Sequence, residues 1–251
     1  MPGPAEPGSY QCINSGGSNA VVLVCDHASN RVPACLNGLG LNRRALAGHI
    51  AWDPGAARVA RRLSTLLDAP LLLSNYSRLV ADCNRAPSDP QFIARSSDGV
   101  SVPGNQDLGP ADIAQRRNIF FEPYQQAITR TLDARRAHSP LLLSIHSFTA
   151  RLAGGELRPW PIGVCYRRSA PLAQRWLEAL RARVDCPVGD NQPYAVEVDC
   201  DHTIPVQAEQ RGLDGIMLEL RQDCIDTPAK AEAWAGLIAR CWAATAGTAA
   251  P

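Results

Sequence analysis

Leu141-Leu142-Leu143-Ser144-Ile145-His146-Ser147-Phe148 is a short, nearly unbroken apolar run that closes on a histidine. A strand with one wet face alternates apolar and polar residues, whereas a strand buried on both faces of a parallel sheet does not. Pro140 limits the run on its N-terminal side. At the other end the apolar residues give way to His146 and small polar groups, and in open α/β sheets ligands collect at the carboxyl ends of strands. The same design recurs in two other places. Val21–Cys25 runs into Asp26-His27-Ala28-Ser29-Asn30, and Gly215–Leu218 runs into Glu219-Leu220-Arg221-Gln222-Asp223. Three buried strands thereby bring His27, His146 and Glu219 toward one rim. They predict an α/β fold of three α/β/α layers around a mixed, mainly parallel central sheet.

At 251 residues the chain can bury a full core as one large domain. Residues 19–245 are expected to form that domain, and the Gly-, Pro- and Ser-rich residues 1–18 a flexible arm. A net charge of +1 gives no bulk attraction to nucleic acid or to an anionic membrane. The Arg residues are not interleaved with aromatics, so no nucleic-acid partner is expected. No apolar run approaches the roughly 20 residues of a membrane span. The N-terminus lacks the basic and apolar regions of a signal peptide. Nine scattered cysteines, odd in number and without a CxxC pair, argue for a reducing compartment and a cytoplasmic protein. Nothing in the sequence fixes an oligomeric state.

Read in order, the spacing predicts a helix over Asn42–His49. A second helix is opened by Asp53 as N-cap and Pro54 at the first helical position, with Val59, Leu63, Leu66 and Leu67 on one face. Pro70–Ser74 reads as a strand and Tyr76–Cys83 as a further extended segment ending in Asn84-Arg85. Ala86–Pro110 has no periodicity and is long for a loop inside a compact domain, which marks it as a lid or as disordered. A long helix over Asp112–Ala137, interrupted near Pro123, precedes the central strand. Strand Ile162–Tyr166, helix Ala170–Arg183, a loop at Gly189–Tyr194, a short helix at Pro205–Arg211 and a last helix from Pro228 complete the chain.

Neutral imidazole suits zinc, and catalytic zinc sites combine three protein ligands with an open position for water. A single histidine at a strand end more often just bonds a backbone group; His27 and His146 at matching ends, with Glu219 at a third, favour function. No HExxH or zinc-finger spacing declares the third ligand. Asp53 and Asn30 compete for it: Asp53 is the harder, anionic donor but is equally suited to capping a helix, and Asn30 is better suited to hydrogen-bonding a substrate. Beside a metal, Glu219 would serve as general base; the plainer alternative is a salt bridge to Arg221, two residues on along the same strand face. Asn84-Arg85 is a candidate anchor for a substrate carboxylate, with Arg78 and Arg221 as weaker candidates of the same kind. Asp199-Cys200-Asp201-His202 reads as a polar loop, and His49 and His138 as surface or packing residues.

Several of these segments occur together and in order. They are Cys25–Asn30 with Pro33, His49–Asp53 with Gly55-Ala56, Tyr76–Val80 through Asp82–Arg85, Pro103-Gly104-Asn105, Ser144–Phe148, Gly189-Asp190-Asn191 with Pro193-Tyr194, and Glu219–Asp223. In this the chain resembles the N-formylglutamate amidohydrolase family over about residues 15–243. That family is itself similar to zinc carboxypeptidases of the carboxypeptidase A type. Ser144–Ser147, Asn84-Arg85 and Leu218–Arg221 echo their zinc ligand, their carboxylate anchor and their general base. Carboxypeptidases place a Glu ligand three residues after the first histidine, where this chain has Asn30. Relatives also tend to carry histidines where Gln125 and Gln207 stand here.

Residues and resemblance together imply hydrolysis of a linear amide in a small N-formyl or N-acyl amino acid with a free carboxylate. One Zn²⁺ would be bound by His27, His146 and Asp53, with Glu219 as base and Arg78 or Arg221 beside the developing oxyanion. Asn84 and Arg85 would hold the carboxylate, and Ala86–Pro110 would close over the site. Two alternatives are a zinc peptidase or cell-wall amidase acting on a larger substrate, and a metal-free relative that binds an acidic metabolite. Asn30, Gln125 and Gln207 are the features that favour the last.

Overall fold

The unbroken apolar runs become adjacent strands because both of their faces are covered. The structure, a computed structural model, describes residue 3 and residues 5–246. In chain order its regular elements begin with β1 (Tyr10–Ile13), β2 (Val22–Cys25), α1 (Arg43–Ala47), α2 (Ala56–Leu67) and β3 (Leu71–Ser74). The middle of the chain gives β4 (Ser96–Ser97), β5 (Val100–Ser101), α3 (Pro110–Arg116), α4 (Glu122–Asp133) and β6 (Leu142–Phe148). The last part gives β7 (Ile162–Cys165), α5 (Ala170–Arg181), β8 (Val188–Asp190), β9 (Gly215–Arg221) and α6 (Pro228–Ala246).

Seven strands form the central sheet in the order β1-β3-β2-β6-β9-β7-β8. The run β3, β2, β6, β9 is parallel, and β1 and β7 join it antiparallel. Successive strand residues face opposite layers. Leu71, Leu73, Leu23, Leu143, Ile145, Ile216 and Leu218 pack with Val59, Leu63, Trp176, Leu177 and Ile238 of α2, α5 and α6. Leu72, Val22, Val24, Leu142 and Met217 pack on the other side with Tyr124 and Ile128 of α4 and with Ile204. This is the three-layer, mainly parallel architecture expected from the sequence.

Three local expectations are corrected, and the expected interruption near Pro123 is observed. The expected arm is partly sheet: β1 pairs antiparallel with β3, from Tyr10 opposite Ser74 to Ile13 opposite Leu71. That pairing is made by backbone at a sheet edge, so β1 shows no apolar alternation. Tyr76–Cys83 is not a strand; Val80 N donates to Ser77 O, and the Ser77 hydroxyl donates to Ala51 O, which turns the segment back. The helix expected over Asp112–Ala137 divides into α3, a π turn at Arg117–Phe121 and α4, with Pro123 at the junction. Finally, Asp53 does not cap α2; the N-cap is Gly55, with φ 87°, packed against the Ile225 carbonyl.

Ala86–Pro110 is ordered because it carries its own small core. Phe92, Ile93 and Val102 are buried with Tyr76, Leu79, Phe120 and Phe121. Buried Arg116 donates to Asn105 Oδ1 at 2.7 Å, and Asn105 Nδ2 donates to the Leu79 and Ala94 carbonyls at 2.9 and 2.8 Å. These bonds fasten the loop beside the rim where β2, β6 and β9 end.

Gly163 in β7 allows the closest backbone approach in the sheet. A Cβ there would lie 1.9 Å from Gln192 O, a backbone atom that cannot step aside. Gly163→Ala is expected to cost about 3 kcal/mol or more, at the upper end of overpacking penalties. Urea denaturation of the variant tests this; an unchanged midpoint would contradict the tight contact.

Candidate metal centre

His27 lies two residues beyond β2, His146 lies in β6, and Asp53 stands in the connection before α2. The backbone bond from Asp53 N to His27 O, 3.0 Å long, holds the Asp53 segment against the end of β2. Asp53 reaches between the two imidazoles. Its Oδ2 lies 2.8 Å from His146 Nδ1 and its Oδ1 3.5 Å from His27 Nδ1, while Ser147 N also donates to Oδ2. One donor atom from each of the three residues falls within 4.8 Å of the others, and all three are buried.

The far nitrogens are held by two further carboxylates. His27 Nε2 lies 2.7 Å from Asp82 Oδ1, and His146 Nε2 lies 3.1 Å from Asp26 Oδ2. Asp82 accepts from Asn84 N at 2.9 Å and from Arg78 Nη2 at 2.6 Å. Asp26 accepts from the hydroxyls of Tyr124, Thr203 and Ser144 at 3.0, 3.0 and 3.1 Å. Carboxylates at both Nε2 atoms orient each ring, so that Nδ1 turns toward Asp53 and the centre.

Carboxylates outnumber the permanent cations in this cluster. Asp26, Asp53, Asp82 and Glu219 are all buried, against Arg78 and Arg85 as the permanent cations. Burial works against Asp53, but His27 and His146 hold its carboxyl well below the usual range. Burial likewise works against charging His146, yet its bonds to Asp26 and Asp53 push its pKa well up. Glu219 sits directly opposite His146 in the sheet register. Burial pushes its carboxyl up to about 8, although His146 pulls the other way. Its Oε2 is buried with no hydrogen-bond partner among the described residues. Three buried donors facing one another and an orphaned carboxylate oxygen beside them fit a divalent cation held by His27, Asp53 and His146.

The cluster forms part of the wall of a cavity of about 570 Å³ that also takes in Arg78, Asn84, Arg85, Tyr194, Asp201 and Glu219. Arg78 Nη1 comes 3.4 Å from His27 Nδ1. Asn84 Nδ2 donates to Asp201 Oδ1 at 2.8 Å, and Arg85 Nη1 to Asp89 Oδ2 at 2.9 Å. Two expected residues are not brought to the cavity. Asn30 Nδ2 donates to Leu46 O, so of the two candidates for third ligand only Asp53 meets the histidines. Arg221 is held by Asp223 and by the Arg158 and Pro159 carbonyls, so it neither faces the cavity nor pairs with Glu219.

Gln125 and Gln207 also stand outside the cavity wall. Gln207 Nε2 donates to Gln125 Oε1 at 3.0 Å, and Gln125 Nε2 donates to Cys83 O at 2.7 Å. The two substitutions thus satisfy each other. Asp26, Asp82, Asp201 and Tyr194 are the site residues that the sequence reading left without a role. Asp26 had one available signal, an acidic residue directly between a buried strand and a candidate ligand.

Such an α/β sheet, with a buried His–Asp–His group that could hold a metal ion and a carboxylate beside it, is compatible with a hydrolase. More particularly, the chain belongs to the N-formylglutamate amidohydrolase family, whose sequence profile matches residues 19–226. Among solved structures, a gene product of Agrobacterium tumefaciens is 33% identical, with a TM-score of 0.92 over 98% of each chain. An N-formylglutamate amidohydrolase from Ralstonia eutropha JMP134 superposes with a TM-score of 0.64 at 16% identity, over 95% of this chain and 96% of that one. A bacteriophage poly-gamma-glutamate hydrolase shares the fold with a TM-score of 0.50 at 12% identity, over 97% and 93% of the two chains. No curated protein matches the sequence. Among the described residues no helix is long and apolar enough to cross a membrane.

Proposed function

We propose that this chain is a metal-dependent amidohydrolase that cleaves the linear amide of an N-formyl or N-acyl amino acid, with N-formylglutamate as the leading substrate. The observation that carries this reading is the meeting of two Nδ1 atoms with Asp53 beside a Glu219 oxygen that has no partner among the described residues. His27, Asp53 and His146 would hold one Zn²⁺. When bound, the ion supplies Lewis acidity and lowers the pKa of its water to about 7. Glu219 takes a proton from the attacking water and returns it to the amine as the C–N bond breaks, so formate or another carboxylate leaves with the free amino acid as co-product. Arg78 faces the developing oxyanion from beside His27. Asn84 and Arg85 bind the substrate carboxylate, Asn84 exchanging its bond to Asp201 for one to substrate.

Asp82 acts through His27 and is a positioning residue. Asp82→Asn is expected to weaken zinc affinity about 10- to 100-fold without abolishing binding. Competition against a chromogenic chelator measures this, and wild-type affinity would remove Asp82 from the role. Nine scattered cysteines without a CxxC pair support a reducing, cytoplasmic setting for the activity.

The reading is tested by formate release from N-formylglutamate before and after chelation. Release that stops on chelation and returns with zinc is expected. Turnover that persists without metal would overturn the reading. So would an absence of turnover, with zinc bound, on N-formylglutamate and on longer N-acyl amino acids.

A further inference from the structure

The end of the sheet opposite the metal centre holds a second cavity, of about 690 Å³. Ala20, Leu141 and Asp214, just before β2, β6 and β9, contribute to its floor. Apolar walls come from Leu172 of α5, Leu213 and Trp242 of α6. Three basic side chains share it: Arg136 and His138 from the turn after α4, and Arg175 from α5.

Several basic groups elsewhere on the fold have acidic partners. Arg62 pairs with Glu232, Arg167 with Glu209 and Arg211 with Asp133. By contrast, the side chains of Arg136, His138 and Arg175 make no ion pair or hydrogen bond among the described residues. Arg175 Nε is buried and without a partner. A buried donor left unbonded costs about 1–3 kcal/mol, more when charged. Asp214, the acidic residue on the wall, is exposed and pairs with none of the three.

We propose that this cavity is a second ligand site, selective for an amphipathic anion: a carboxylate or phosphate head carried on an apolar body. The head meets Arg175, Arg136 and His138, and the body lies against Trp242, Leu172 and Leu213. The volume is that of ordinary small-molecule sites, which combine mostly apolar walls with a few convergent polar groups. The site is separate from the metal centre and does not depend on the amidohydrolase reading.

The test is titration calorimetry on the full, zinc-loaded chain with octanoate, octyl phosphate, octanamide and inorganic phosphate, with tryptophan fluorescence in parallel. Octanoate or octyl phosphate is expected to bind at least tenfold more tightly than octanamide or inorganic phosphate, and which of the two wins identifies the head group. Arg175→Gln is expected to weaken binding about tenfold or more, on the scale of a lost charge-assisted hydrogen bond. Exposed Arg136→Gln gives a smaller loss and stands in if Arg175→Gln fails to fold. Amide turnover is expected to be unchanged in both variants. No binding at millimolar octanoate and octyl phosphate would overturn the site. Binding insensitive to both variants but lost in Arg85→Gln would also overturn it, assigning the anion to the metal-centre cavity instead.

Discussion

Glu219→Gln is expected to lower kcat by about two to four orders of magnitude, the range for removing a general base, while metal stays bound. The side chain is 5% exposed, and one of its oxygens has no hydrogen-bond partner among the described residues. Glutamine keeps its size and removes only its capacity to take a proton. Steady-state kinetics alongside metal content separate this from loss of the site. Retained turnover would remove Glu219 from the proton transfer, whereas lost metal would recast it as a ligand.

The same variant carries a pH signature in the metal-free protein. A carboxyl raised from 4.5 to about 8 in the folded state binds more protons there than in the unfolded chain across that window. Its contribution to stability therefore falls as pH rises through the window. Metal-free Glu219→Gln is expected to gain stability relative to wild type as pH goes from 4.5 toward 8. Thermal melts with chelator present read this directly, and a difference that does not vary with pH would contradict the uncompensated burial of Glu219.

Asp53→Ala is expected to abolish zinc binding and to reduce turnover to background. The side chain meets both Nδ1 donors and accepts from Ser147 N, so alanine removes one candidate ligand and the group that aligns the other two. Without metal, truncation leaves the histidines facing each other, with ring centroids 4.8 Å apart and no carboxylate between them. Breaking a buried ion pair from one side costs about 3–5 kcal/mol, so the metal-free variant is also expected to melt earlier. Zinc bound near stoichiometry in Asp53→Ala would show that the third ligand lies elsewhere.

Much of the sheet was legible because parallel strands covered on both faces must be apolar at every position. Leu141–Phe148, Val21–Cys25 and Gly215–Leu218 could therefore be ordered around one rim from sequence, and His27, His146 and Glu219 with them. Asp53 was only half legible. Asp-Pro before an amphipathic helix looks like a cap, and nothing local reports that the carboxylate turns to histidines 26 residues upstream and 93 downstream. Asp26 and Asp82 act by long-range contact, Asp82 across 55 positions to His27, so spacing could not assign them. Arg221 misled for a related reason. Two residues along a strand predicts a shared face, but its guanidinium reaches the Arg158 and Pro159 carbonyls in a neighbouring loop. β1 was invisible because an edge pairing made by backbone leaves no side-chain period.

Gln125 and Gln207 were read as possible losses at the site. Bonded to each other and to Cys83 O and Thr129, they satisfy one another and take no part in the cavity wall. They lend no weight to a metal-free binding protein, and the metal itself becomes the decisive question.

Elemental analysis of the purified chain, wild type and His146→Ala in parallel after reconstitution with zinc, answers it. One equivalent of zinc in wild type, lost in the variant, is the expected result. Wild-type protein that takes up no metal, or His146→Ala that holds zinc as tightly as wild type, would contradict a metal centre at His27, Asp53 and His146.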